Sequence, residues 1–154
     1  MTQNTPHPRH PGSEKRRYKR LPILSRLVRP VMITLPGLKK PVPGIVGDLS
    51  AGGLSINTFV EMPVGRDLEL TIDLGVFRAE GVAGRVVRLV RRGGAFQIGI
   101  EFTGLDRPLA DRINRLAEDF DACELRWVRS ADEICLSDCT YHPFCTKSVK
   151  TNFE

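Results

Sequence analysis

The sequence is poor in the features that mark a membrane-spanning, secreted or aromatic-rich chain. Only 6% of its 154 residues are aromatic, with a single tryptophan and two tyrosines. No apolar run is long enough to cross a bilayer as a helix, and the first twenty residues, MTQNTPHPRHPGSEKRRYKR, hold no apolar segment of the kind a secretory leader needs. The expected location is therefore the cytoplasm, where thiols stay reduced and the four cysteines do not form a disulfide framework. There is no P-loop, no GxGxxG and no nucleophile–base arrangement, so an enzyme is not expected. The strand-borne acids Glu61, Asp67, Glu69, Asp73, Glu80 and Glu101 mostly fall at polar positions of alternating patterns, as a solvated face does.

What the chain does have is positive charge, and it is unevenly spread. The formal net charge is +5. Eight basic residues precede Pro30 against the single acid Glu14, and Lys15, Arg16, Arg17, Lys19 and Arg20 are packed into one short arm. Such an arm favours an anionic partner. Residues 1–13, rich in Pro, His and polar side chains, read as a disordered lead-in.

Short β-like runs follow. Val28–Leu35 is rich in β-branched residues, LKKPVPG reads as a loop, and Ile45–Leu49 and Leu54–Thr58 flank Ala51–Gly52–Gly53. Leu68, Leu70, Ile72 and Leu74 alternate with polar residues, as do Phe96, Ile98, Ile100 and Phe102. Between them Phe77–Val90 forms a long strand in which Gly81 and Gly84 permit a bulge or bend. About six short strands without an intervening helix predict a mainly β fold, a small six-stranded antiparallel barrel. The period then changes. Leu109, Ile113, Leu116 and Phe120 predict an amphipathic helix over 107–122, capped by Asp106, and a Cys-rich tail occupies 123–154.

Two motifs occur together: Arg16-x-x-x-Arg20 in the arm, and Asp48-x-Ser50-x-x-Gly53 between two strands. With the barrel around them, and with the GDLSAGGLSI and GRVVRLVRRGGAFQIGIEF runs, they resemble the PilZ family of c-di-GMP receptors over about residues 14–106. The resemblance implies a c-di-GMP-binding domain whose site draws on Arg16, Arg17, Arg20, Asp48, Ser50, Gly52 and Gly53. Lys15, just before the arginine motif, is implicated in holding a stacked pair of ligands. Arginine offers a fork that fits a phosphate or the O6/N7 edge of guanine, and Asp48 can accept from the guanine ring N–H and amine. Gly52 and Gly53 permit positive φ and a close backbone approach, where a side chain is expected to displace the ligand. The implied mechanism is a clamp: the arm closes on the barrel and the change is passed to an effector protein.

In the tail, Cys135, Cys139, His142 and Cys145 read as C-x3-C-x2-H-x2-C, with Cys123 upstream. These ligand types suit zinc or an iron–sulfur cluster; reduced, partly buried thiols are the alternative. Trp127 is expected to anchor the tail. Two other functions fit the composition, a basic nucleic-acid-binding module and an interaction adaptor with a metal-binding tail. Only Tyr18 interleaves with the arm's charges, and the strands lack a row of exposed aromatics for base stacking.

Overall fold

The computed structural model describes residues 17–22, 30–74, 78–129 and 138–141. Its elements are β1 (Leu21–Pro22), β2 (Val31–Thr34), β3 (Val42–Ser50), β4 (Gly53–Thr58), β5 (Asp67–Asp73), β6 (Arg78–Arg92), β7 (Ala95–Gly104) and α1 (Arg107–Arg129). Every strand pair is antiparallel. The order β3-β2-β5-β6-β7-β4 closes because β4 also pairs with β3. Six strands thus make the expected barrel and leave it no free edge. The added strand β1 is short: Leu21 and Pro22 pair with Leu49 and Asp48, on the edge of β3 that β2 vacates after Gly44.

Alternation puts the core where the sequence predicts it. Leu68, Leu70 and Ile72 of β5 and Ile98 and Ile100 of β7 are buried, together with Val31, Ile33, Leu54 and Ile56. Each such side chain contributes about 1.5–3 kcal/mol on leaving water. The strand β6 bends where Glu80 and Gly81 oppose the single residue Thr71, and Gly81 takes the left-handed φ of +68° that glycine adopts freely.

Two boundaries differ from expectation. Strand β3 begins at Val42, so Pro43 and Gly44 belong to it and not to a loop. Proline is tolerated near a strand start, and here the Pro43 carbonyl accepts from the Thr58 hydroxyl at 3.1 Å. The helix runs to Arg129, beyond the expected residue 122. Its start is as predicted: an Asp106 carboxylate oxygen accepts from the Leu109 N–H at 2.9 Å. Ile113, Leu116 and Ala117 are buried, and Leu109 and Phe120 pack on the core. Cys123 is buried three residues after Phe120, so it extends the apolar stripe and does not open a tail.

The segment 138–141 returns to this helix. Asp119 accepts from the Thr140 N–H at 2.8 Å and from its hydroxyl at 2.6 Å. Tyr141 is buried, with its ring edge-on to Phe120 at 4.9 Å. Trp127 lies within the last turns of α1. Among the described residues, no helix is long and apolar enough to cross a membrane.

Candidate functional site

The β3–β4 hairpin determines which way its polar residues face. Along β3, Val42, Gly44 and Val46 point inward, and strict alternation would send Asp48 inward after them. It does not, because the register slips between Val46 and Asp48: Gly47 is an extra residue opposite β4. The bulge hands the inward position to Leu49 and leaves Asp48 and Ser50 half-exposed on the outer side. The Asp48 N–H donates to the Ser55 hydroxyl at 3.1 Å, which fixes the kinked backbone.

Ser50 closes the turn. Its hydroxyl accepts from the Gly52 N–H at 3.2 Å and donates to the Gly53 carbonyl at 3.3 Å. In this state the Ser50 hydroxyl is occupied by the loop.

The glycines act differently from expectation. Left-handed φ values occur at Gly37, Gly65, Gly81 and Gly93, not at Gly52 or Gly53. What the two share is crowding by the protein itself. A Cβ on Gly53 would sit 2.0 Å from the Ile100 carbonyl oxygen on β7, and one on Gly52 would sit 2.7 Å from the Tyr18 ring. Gly52 lets the arm lie on the turn, and Gly53 lets β4 close against β7. Neither role requires a ligand.

The arm is anchored through successive residues. The Tyr18 ring covers Gly52, Lys19 Nζ lies 3.3 Å from Asp121 Oδ2 of α1, Arg20 Nη1 lies 3.4 Å from Asp48 Oδ2, and Leu21–Pro22 adds to the sheet. Arg20 and Asp48, 28 positions apart, thereby meet in the lining of a cleft of about 470 Å³. Ser50, Gly52 and Gly53 line it as well. Arg17 is exposed with its guanidinium 5.4 Å from the Tyr18 ring centroid, and it does not line the cleft. Lys15 and Arg16 lie outside the described residues.

Two charged lining residues were not foreseen, Arg88 and Glu101. Arg88 owes its outward position to a second slip. Val82, Gly84 and Val86 point inward on β6, and the register then shifts between Val86 and Arg88, so that Arg88 turns outward opposite Gly99. A Cβ on Gly99 would press on the Arg88 side chain at 3.2 Å. Among the described residues no carboxylate pairs with Arg88. The cleft thus holds one arginine poised on an aspartate and one without a counter-ion. Both can donate to phosphate oxygens or a purine edge.

Other charges are occupied on the barrel surface. Arg85 bonds Asp67 at 2.8 Å, and that carboxylate holds the guanidinium above the ordinary arginine value. Arg78–Glu80 and Arg91–Glu61 pair at 2.6 Å. Of the five proposed metal ligands, Cys123 is buried and Cys139 half-buried; Cys135, His142 and Cys145 lie outside the described residues. Among the described residues no three His, Cys, Asp or Glu side chains gather as a metal site would require.

The described residues thus form a closed six-stranded barrel with an outer cleft and an N-terminal arm laid against it. The chain belongs to the PilZ domain family, whose model matches residues 14–119. No curated protein matches the chain significantly. Solved structures share its fold at 16% identity. The Bacillus subtilis inhibitor of motility MotI/DgrA aligns over 70% of this chain and 51% of its own, with a TM-score of 0.57. Escherichia coli YcgR in complex with c-di-GMP aligns over 75% and 49% (TM-score 0.56). The PilZ domain of YcgR with c-di-GMP aligns over 75% and 98% (TM-score 0.53). The chain therefore spans about half the length of the full relatives and nearly all of the isolated domain.

Proposed function

We propose that this protein is a cytoplasmic, non-enzymatic receptor for c-di-GMP that regulates an effector protein of motility or biofilm formation. The observation that carries the reading is the meeting of Arg20 and Asp48 at 3.4 Å over an open cleft, which joins the two motifs in one place. Two of the structural neighbours, YcgR and its isolated PilZ domain, are complexes with this dinucleotide.

In this reading the Asp48 carboxylate accepts from the guanine ring N–H and amine, which adenine lacks in that arrangement. Arg20 leaves Asp48 to form a fork on phosphate or on the O6/N7 edge. Arg16 and Arg17 close over the ligand, with Lys15 adding charge for a second molecule. Arg88 supplies a further cation from the barrel wall. The exchange is favourable because the Arg20–Asp48 pair is solvent-exposed and worth little by itself. Moving the arm also strains the Lys19–Asp121 pair, so occupancy of the cleft is felt at α1. The binding unit is residues 14–106, and α1 with the following tail reads out its state.

Titrations of the full chain with c-di-GMP and with c-di-AMP test the reading. Because the site is built to satisfy guanine donors, c-di-AMP should bind at least about 100-fold more weakly. Equal affinity for both, or binding only to single-stranded oligonucleotides with a steep salt dependence, would instead identify an unselective polyanion site.

A further inference from the structure

The barrel end opposite the hairpin carries a feature that ligand binding does not use. Four of the seven large apolar side chains exposed among the described residues lie there, on two loops: Leu38 between β2 and β3, and Phe59, Val60 and Val64 between β4 and β5. Phe59 is 84% exposed, Val64 62% and Leu38 50%, although Met62 between them is fully buried. The loops are fixed. Arg66 donates to the Pro36 carbonyl at 2.5 Å, the Gly65 N–H donates to the Val86 carbonyl at 2.8 Å, and Arg91 holds Glu61 at 2.6 Å. Rigid loops that leave a phenylalanine in water hold it out for something.

The surrounding charge says what. Lys39, Lys40, Arg66, Arg91 and Arg92 are all exposed at this end, and the acids beside them, Glu61 and Asp67, are already paired with Arg91 and Arg85. A second copy of the chain would bring the same cations face to face. Projecting apolar tips ringed by cations match the boundary between acyl chains and anionic headgroups, where aromatic rings settle and long basic side chains reach the phosphates. We propose that this end of the barrel docks on an anionic lipid surface.

Gly53 and Phe59 are six residues apart on extended chain, about 20 Å. The hairpin that lines the ligand cleft therefore lies at the other end of β4 from the docking tips, and docking goes beyond nucleotide binding without depending on it.

Co-sedimentation of the full chain with phosphatidylcholine vesicles, with and without about one third phosphatidylserine, tests the proposal. The expected result is binding to the anionic vesicles only, weakened about tenfold in both Phe59→Ser and Lys39→Glu/Lys40→Glu, and unchanged in Asp48→Ala. Binding that both surface variants leave intact would transfer it to the basic arm and overturn the proposal. So would three other outcomes: no binding to either vesicle, self-association that Phe59→Ser abolishes, or a requirement for an acidic peptide in place of lipid. Failure here with intact c-di-GMP binding leaves the receptor reading standing. Loss of c-di-GMP binding alone leaves the docking face standing.

Discussion

Gly53→Ala is expected to destabilise the domain by about 3 kcal/mol, near the upper end for an overpacked interior site. The new Cβ would lie 2.0 Å from the Ile100 carbonyl oxygen and 3.0 Å from its carbon, both backbone atoms that no rotamer change can move away. Gly53 pairs with Glu101 in the β4–β7 seam, one of the two seams of β4 that close the barrel. Relief therefore requires β4 to separate from β7 or the hairpin to tilt, and either one moves Ser50 and the floor of the cleft. Urea unfolding measures the cost as a lowered midpoint. Gly94→Ala is the control, since its Cβ would meet nothing within 4 Å, and it should change stability by less than about 0.5 kcal/mol. Equal midpoints for the two variants would mean that the last glycine of the motif is kept for the ligand after all.

The second large effect is on binding. Asp48→Ala should reduce c-di-GMP affinity by on the order of 10- to 100-fold, the worth of one well-placed base-edge contact of about 1–3 kcal/mol. Stability should change by less than about 1 kcal/mol, because the carboxylate is half-exposed and its partner Arg20 is also in solvent. Asp48→Asn should fall between the two, since its amide keeps one acceptor but turns donors toward a guanine edge that also donates. Calorimetry beside thermal unfolding separates the effects. A variant that binds normally but unfolds early would make Asp48 a structural residue of the bulge.

The strands β5 and β7 were legible because each alternates without interruption across a half-buried wall, and Asp106 was legible because a helix start leaves N–H groups that need an acceptor. The site was legible only as residue types. What places Asp48 and Arg88 on the outside are two register slips, at Gly47 and at Val87, and a slip is a property of two paired strands. Its trace in one strand is slight: the buried apolar positions of β3 pass from even to odd between Val46 and Leu49. The glycines misled for a related reason. Gly52 and Gly53 suggest turn freedom locally, yet the atoms that exclude their side chains belong to Tyr18 and to Ile100, distant in sequence. The boundary drawn at residue 122 followed a change in composition, whereas the helical period continues through Cys123 and the helix is covered from outside by Tyr141.

Isothermal titration of c-di-GMP into the wild type, Arg16→Ala and Arg20→Ala measures the arm's grip on the dinucleotide. Saturable binding is expected of the wild type and at least about tenfold weaker binding of each variant, with the unfolding midpoint unchanged. Wild-type affinity in Arg20→Ala would contradict it, because the arginine that spans the cleft to Asp48 would then have no part in holding the ligand.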